Sequence, residues 1–257
     1  MPPSDKEGEI RAYYRTLWQA WGPQHWWPAR TRFEVIVGAY LTQNTAWTNV
    51  EKALANLREQ RLLTVSGIRR ARLSKLERLI RPSGYFRQKA KKLKRFVAFL
   101  DSNYGGSLPR MLATPTNRLR EQLLALNGAG PETADSILLY AGDHPVFVVD
   151  AYTRRILERH QILPADSDYE EIRRLFERSI PPLVDAGGSV DPPATKRFNS
   201  RGANHPPSPV STAPRPPLAQ LYNEMHGLIV GVGKNYCRKS QPRCDECPLR
   251  KFLPASK

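Results

Sequence analysis

The chain has 257 residues, which is enough for one large domain or for two lobes with cores of their own. Its 40 lysines and arginines outnumber 24 aspartates and glutamates, and the formal charge of +16 favours a polyanionic partner, for which nucleic acid is the leading candidate. No apolar run approaches the roughly 20 residues of a membrane span, and the first residues have no apolar secretion signal, so we expect a cytoplasmic, nucleoid-associated protein.

Apolar residues recurring three and four positions apart predict helices along most of the chain, beginning with Phe33–Leu41 and a stripe from Val50 to Leu57. Over Gln88–Tyr104 an apolar stripe faces a basic one, which we expect to be solvated or to face phosphates; its members are Lys89, Lys91, Lys92, Lys94 and Arg95. Further helices are predicted over Thr116–Leu126, Pro131–Ala141, Ala151–Arg159, Tyr169–Ile180 and Leu218–Lys234. Only Val146–Val149 has strand character, so the predicted fold class is all-α.

Two of these helices flank a Gly-Ala-Gly turn and form a predicted helix-hairpin-helix over 117–141. Gly128 and Gly130 can adopt positive φ and leave their backbone bare. Their amides, together with those of the following helix N-terminus, would form a site for a DNA phosphate. An ordinary helical corner is the alternative interpretation.

Asp150 follows an apolar run and stands at the start of the next predicted helix. An aspartate there is commonly an N-cap, worth about 1 kcal/mol. A functional role remains open beside the capping role, because one carboxylate can do both.

The segment 185–217 is rich in proline and small polar residues and has few large apolar side chains. Such a composition cannot offset chain entropy by burial, so we predict a disordered insertion between two helices. Beyond it lie the three cysteines of the chain, Cys237, Cys244 and Cys247. Their clustering indicates a metal or iron–sulfur site rather than a disulfide framework.

This order of motifs resembles the endonuclease III superfamily of helix-hairpin-helix (HhH-GPD) DNA glycosylases. The resemblance runs from about Phe33 to Leu249, interrupted by the insertion, and it includes Leu41–Thr45 and Gly84–Ala90. It implies two helical lobes with a DNA-binding cleft, one formed by 1–32 with 148–234 and the other by 33–147, followed by a cysteine loop over 235–257. It also implies a monomeric base-excision-repair enzyme that binds damaged double-stranded DNA.

The resemblance assigns roles to individual residues. Asp150 is the catalytic aspartate, whose carboxylate stabilises positive charge developing on the sugar and activates water. Gly128 and Gly130 hold a phosphate, while Gln43, and with it Asn44, fills the gap left by the flipped nucleotide.

Two positions depart from the family pattern. Members that also break the DNA strand carry a lysine where this chain has Glu132, and a carboxylate cannot form the required imine, so a monofunctional enzyme is expected. The family's [4Fe-4S] loop has four cysteines, and Leu253 takes the fourth place here. A three-cysteine cluster, an exogenous fourth ligand and no cluster at all stay open.

The 3-methyladenine glycosylases are the most similar subgroup, on the evidence of Trp26-Trp27-Pro28, Gln43-Asn44-Thr45 and Glu132–Asp135. That similarity implies an aromatic pocket of Trp26, Pro28 and Trp47 that stacks an alkylated purine, with packing in the core as the alternative for these tryptophans. Three other functions stay open beside this one: an oxidised-pyrimidine or mismatch glycosylase with AP lyase activity, a non-catalytic helix-hairpin-helix DNA-binding protein, and a zinc-binding regulator.

Overall fold

A computed structural model of the protein describes residues 6–180 and 206–254, and these residues form helices and connecting segments without a β-strand. The α-helices in chain order are α1 (Lys6–Trp21), α2 (Arg32–Leu41), α3 (Trp47–Glu59), α4 (Val65–Arg70), α5 (Leu73–Leu79), α6 (Phe86–Tyr104), α7 (Leu108–Leu112), α8 (Thr116–Leu124), α9 (Pro131–Ser136), α10 (Ala151–Arg159), α11 (Tyr169–Ser179) and α12 (Pro217–Asn235). None of them is both long and apolar enough to cross a bilayer. The all-α fold class is therefore confirmed.

The chain divides into two compact units. The terminal unit comprises Met1–Pro28 and Pro145–Lys257, and the central unit comprises Ala29–His144. Residues 185–205 of the predicted insertion lie outside the described residues. At 206–216 the chain forms a turn in which Val210 and Ser211 are buried, and α12 follows it directly.

In the terminal unit, α12 packs against α10 and α1, and α1 packs against α11. The segment before α10 pairs with no strand among the described residues. Instead, the Phe147 ring stacks on Phe176 with 4.1 Å between centroids, and the Phe147 backbone N–H donates to the Glu177 carboxylate at 3.0 Å. These contacts fix the direction in which the chain enters α10, and they thereby place Asp150.

In the central unit, α2 packs against α3 and α6. Thr31 caps α2, since its hydroxyl accepts from the Glu34 backbone N–H at 3.1 Å. The predicted helix 131–141 is continuous, but it changes from α9 to a π-helical turn at Ile137–Ala141.

The structure corrects one member of the basic stripe on α6. Lys89 is not on a solvated face: it is 1% exposed, and its amine donates to the carbonyls of Leu41 at 2.8 Å and Ser83 at 2.6 Å. Burial, and secondarily the charge of Lys92, lowers the pKa of this amine to about 8. Leu41 ends α2, so Lys89 satisfies a carbonyl that the helix itself leaves without a donor.

Candidate active site and nucleic-acid interface

The hairpin of the central unit lies between α8 and α9, and its two glycines serve different purposes. Gly128 has a φ of +98°, and a Cβ built there would lie 2.5 Å from Cε of Lys92. Gly130 caps α9 with a φ of −78°, so only Gly128 of the two uses the positive φ that is open to glycine. A Cβ on Gly130 would have no atom within 4 Å, which leaves this part of the backbone open. Gly128 is thus required by packing, whereas Gly130 offers a bare surface.

The loop after α2 contacts this hairpin within the central unit. The Gln43 amide donates to the Gly128 carbonyl at 3.0 Å and to the Thr133 hydroxyl at 2.8 Å. Its oxygen accepts from the Lys92 amine at 2.6 Å. Asn44 is exposed and has a φ of +52°. The structure therefore brings Gln43 and the hairpin glycines together, and it leaves Asn44 facing solvent.

Asp150 caps α10 in the terminal unit. Its Oδ1 accepts from the Thr153 backbone N–H at 2.8 Å and from the Thr153 hydroxyl at 3.0 Å. The second oxygen, Oδ2, lies 3.6 Å from Nε2 of His226. Burial lowers the pKa of His226, and the charge of Asp150 opposes that shift. The carboxylate therefore has one oxygen fixed by the helix N-terminus and the other beside a buried imidazole.

A tryptophan side chain lies near this imidazole. Trp26 is 5% exposed, and its ring centroid lies 6.4 Å from that of His226. The amine of Lys234 lies 5.7 Å from the Trp26 centroid, at the distance of a cation–π contact. Neither His226 nor Lys234 is predicted from the sequence, although their spacing of eight positions on α12 is typical of one helix face.

The other members of the expected base pocket are divided between the units. Pro28 is half-buried at the end of the first segment of the terminal unit, whereas Trp47 is half-buried at the start of α3 in the central unit. Glu132 is exposed in the first turn of α9, where a negative charge interacts favourably with the helix dipole. The hairpin thus presents a carboxylate at the place of the family's lysine.

The three cysteines line one pocket, together with Arg159, His160, Tyr236, Arg250 and Leu253. Cys237 is buried, and the Arg159 guanidinium donates to its sulfur at 3.2 Å. In the described part of the chain, no three cysteine, histidine or carboxylate side chains are arranged to hold a single metal ion. A shared pocket with three sulfurs fits a multi-iron cluster bound by three protein ligands, with apolar Leu253 at the fourth position.

Residues 37–182, more than half of the chain, match the model of the HhH-GPD superfamily of base excision DNA repair proteins. The chain belongs to this superfamily. A protein of Methanocaldococcus jannaschii named among the DNA repair glycosylases is 40% identical over 245 residues, which cover 95% of this chain and 94% of that protein.

Solved structures of the superfamily have the same fold. The 3-methyladenine DNA glycosylase MagIII of H. pylori, bound to 1,N6-ethenoadenine, is 29% identical with a TM-score of 0.68, over 90% of this chain and 97% of that one. An endonuclease III trapped as a covalent intermediate with DNA is 21% identical with a TM-score of 0.71, over 96% and 95% of the two chains.

A second sequence relative, the bovine endonuclease III-like protein 1, is 28% identical, and the match covers 90% of this chain and 61% of that protein.

Membership of the HhH-GPD superfamily confirms the resemblance drawn from the sequence. The chain is a DNA glycosylase of base excision repair, and its macromolecular partner is DNA.

Proposed function

We propose that this HhH-GPD enzyme releases alkylated purines, 3-methyladenine above all, from duplex DNA by hydrolysis and without strand cleavage. The observation that carries the proposal is the distance of 3.6 Å between Oδ2 of Asp150 and Nε2 of buried His226, whose ring lies near that of Trp26. In addition, the hairpin has Glu132 where strand-cleaving members of the family have a lysine. The similarity to a 3-methyladenine glycosylase at 29% identity supports the substrate class.

In this proposal, the central unit binds DNA. The open backbone at Gly130 and the hairpin amide of Gly128 receive a phosphate, a contact that depends on charge rather than on base sequence. The loop at Gln43 and Asn44 fills the gap left when the damaged nucleotide leaves the stack. Extrusion is required, since the glycosidic carbon cannot be reached inside a stacked duplex.

Asp150 acts at the sugar. As the bond between C1′ and the base nitrogen breaks, positive charge develops on the sugar and the carboxylate stabilises it. A water oxygen bonds to C1′ and gives its proton to Asp150, while the bonding electrons leave with the base. Burial favours the neutral form of His226, so the carboxylate charge stays available for the sugar.

The base is recognised by stacking. Trp26 and Pro28 of the terminal unit supply flat apolar surfaces, and an alkylated purine that carries positive charge gains cation–π attraction from a tryptophan face. Such a base is already a good leaving group, so the site needs an anion and a stacking surface more than an acid. Oxidised pyrimidines are neutral and poorer leaving groups, and they would call for the absent lysine.

Cys237, Cys244 and Cys247 would hold the superfamily's iron–sulfur cluster. Such a cluster supplies structure around the loop, since base hydrolysis transfers no electron. Arg159 and Arg155 brace this region, donating respectively to the sulfur of Cys237 at 3.2 Å and to its carbonyl at 2.6 Å.

The test is a panel of duplexes with one lesion each, assayed by chromatography for the free base against a control without protein. We expect release of 3-methyladenine, strand breaks only after alkali, and little adduct trapped by borohydride. Release of thymine glycol or mismatched thymine without 3-methyladenine overturns the substrate class. Robust borohydride trapping overturns the hydrolytic mechanism.

A further inference from the structure

The segment 22–28, the Trp26 loop, packs directly on α12 in the terminal unit. A Cβ built on Gly227 would lie 2.9 Å from Cβ of Gln24 and 3.1 Å from Cβ of Trp26, so a side chain there would push the loop away from the helix. His25 has a φ of +49°, a conformation that a non-glycine residue keeps only where its surroundings hold it. The loop therefore depends on the groups that fix it to α12.

Glu224 supplies such contacts from the turn of α12 that precedes Gly227. The residue is 1% exposed, and its Oε2 accepts from the Gln24 backbone N–H at 2.5 Å. The His25 backbone N–H also donates to this carboxylate, and the Gln220 amide donates to Oε1 at 2.9 Å. All three partners are donors, so a protonated carboxyl would present its hydrogen to groups that themselves donate. The ionised form is the one that fits these contacts.

The Trp26 loop connects Glu224 with the candidate active site. Trp26 follows the two anchored backbone groups, and its ring centroid lies 6.4 Å from that of His226. Nε2 of His226 lies in turn 3.6 Å from Oδ2 of Asp150. A shift of the loop would thus move the Trp26 ring relative to this pair, while Asp150 would stay in place as the cap of α10.

We propose that Glu224 is a positioning residue of the base pocket: its ionised carboxylate fixes the Trp26 loop on α12 and thereby sets where the Trp26 ring meets the damaged base. This role rests on the proposed function, in which that ring stacks an alkylated purine. Glu224 is buried between the loop and the helix, so it acts through Trp26 rather than by touching the base.

Stability alone does not account for a carboxylate at this place. Burial, the largest influence, raises the pKa of Glu224 from its ordinary value of 4.5 to about 7. Between these two values the unfolded chain has released the proton and the folded chain has kept it, so the fold becomes less stable as the pH rises. A neutral glutamine would avoid this loss and would still have one accepting oxygen. The charge is thus kept at a cost to the fold, which favours a functional role.

The ionisable groups around Glu224 determine what its titration reports. The charge of Arg215, in the turn before α12, and the hydrogen bonds of the loop lower its pKa against the effect of burial. His25 is the titratable side chain of the loop, and burial lowers the pKa of its imidazole. On α10 and α1, which pack against α12, charged or titratable side chains contact other partners: Asp150 contacts His226, Tyr13 contacts His160, and Arg155 and Arg159 contact Cys237. Glu224 therefore changes its charge close to neutral pH.

Glu224→Gln tests the role with little change of shape. At pH 8, where the wild-type carboxyl is mostly ionised, Tm of the variant should equal or exceed that of the wild type. Single-turnover release of 3-methyladenine by saturating protein should fall about fivefold, because a neutral acceptor holds the loop less tightly than a charged one. Affinity for intact duplex should not change, since the central unit binds the phosphates. A lower Tm than that of the wild type at pH 8 would show that the charge serves the fold, and it overturns the proposal.

The pH profile separates this role from a fixed structural one. The ratio of wild-type to Glu224→Gln release rates should be about five at pH 8 and approach one near pH 5.5, where the protonated carboxyl resembles the amide. Glu9→Gln is the matched control in the same unit, since the Glu9 carboxylate accepts from the Tyr13 hydroxyl at 2.9 Å and not from the loop. It should keep the wild-type rate at both pH values. A wild-type to Glu224→Gln ratio that stays constant from pH 5.5 to 8 overturns the proposal.

Trp26→Ala, made with and without Glu224→Gln, tests whether the two residues act together. Trp26→Ala alone should slow release at least as much as Glu224→Gln, and the second change should then add nothing. Equal effects of Glu224→Gln in both backgrounds overturn the proposal. A wild-type protein that releases no alkylated purine, measured against a control without protein, overturns the proposed function and this role with it. Release by the wild type that Glu224→Gln does not slow overturns the role of Glu224 alone, so the two failures are distinguishable.

Discussion

The capping role and the proposed catalytic role of Asp150 use different oxygens of its carboxylate. Oδ1 is held by Thr153 at the start of α10, and Oδ2 is directed to His226. The two interpretations that the sequence leaves open for this residue are therefore compatible. The capping contact also orients the carboxylate, since the first helical turn leaves it few other conformations.

Asp150→Asn separates the two roles. The amide oxygen of asparagine can accept from the Thr153 N–H, so the variant should fold with an unchanged Tm. Base release under single-turnover conditions should fall by about two to four orders of magnitude, because the negative charge and the base are both lost.

Asp168→Asn is the matched control, since Asp168 caps α11 through the same kind of contact, to the Glu170 N–H at 3.0 Å. It should leave base release unchanged. Full activity in Asp150→Asn would remove Asp150 from the mechanism.

His226 shows what the sequence cannot predict at the scale of a residue. Asp150 is recognised from its neighbours along the chain, whereas His226 lies on α12, far along the chain, and meets Asp150 only through packing of α10 on α12. The burial of Lys89 is not predicted for a related reason. The amphipathic pattern of α6 shows that its lysines avoid the apolar stripe. It does not show that the carbonyl groups of Leu41 and Ser83 lie beside the Lys89 amine.

At the scale of elements, periodicity predicts most of the longer helices, but α1, with 16 residues, is not predicted. The ends of α2, α6, α10, α11 and α12 lie within two residues of those expected from the sequence. The helices α4, α5 and α7 have five to seven residues, too few for a repeating pattern to emerge, and none of them is predicted. Their positions depend on packing against α6, which supplies the order that their own sequences lack.

The hairpin offers a test at Gly130. Its φ of −78° suits any residue and a Cβ has open space, so Gly130→Asp should fold normally. The new carboxylate would face the expected phosphate, and affinity for intact duplex should fall about tenfold or more by charge repulsion. Fluorescence anisotropy of a labelled duplex measures this, with Gly130→Ala to separate bulk from charge.

Equal binding by Gly130→Asp and the wild type would show that no phosphate sits at the hairpin. Gly128→Ala is unsuitable for this purpose, because its φ of +98° and its contact with Lys92 would disturb the fold itself.

The cysteine loop is tested by its metal content. Protein purified without oxygen should contain iron and sulfide, and the brown colour should fade in air, since the fourth position is Leu253. Leu253→Cys should slow that bleaching, because it supplies the missing thiolate. Cys237→Ser should lower the iron content in both backgrounds. Anaerobic protein with neither iron nor sulfide would show that the loop folds without a cluster.

At the scale of the whole molecule, the net charge determines how DNA binding depends on salt. A formal charge of +16 makes association with DNA strongly dependent on salt, because each phosphate contact releases a condensed counterion. The chemical step has no such dependence in the proposed mechanism, since stacking and a single carboxylate act on a base that is already bound. Salt should therefore separate binding from catalysis.

We expect the logarithm of the association constant for intact duplex to fall linearly with the logarithm of salt concentration, with a slope of about −0.9 for each phosphate contacted. Single-turnover release of 3-methyladenine should keep its rate across the same range, provided that protein is in sufficient excess to saturate the duplex. Lys91→Met, at an exposed position of the basic stripe on α6, should make the slope shallower by about one and leave that rate unchanged. Anisotropy titrations from 50 to 200 mM salt, paired with quenched reactions, measure both quantities. A saturated rate that falls as steeply as the affinity would mean that phosphate contacts act in the chemical step, and that base stacking with Asp150 does not account for catalysis.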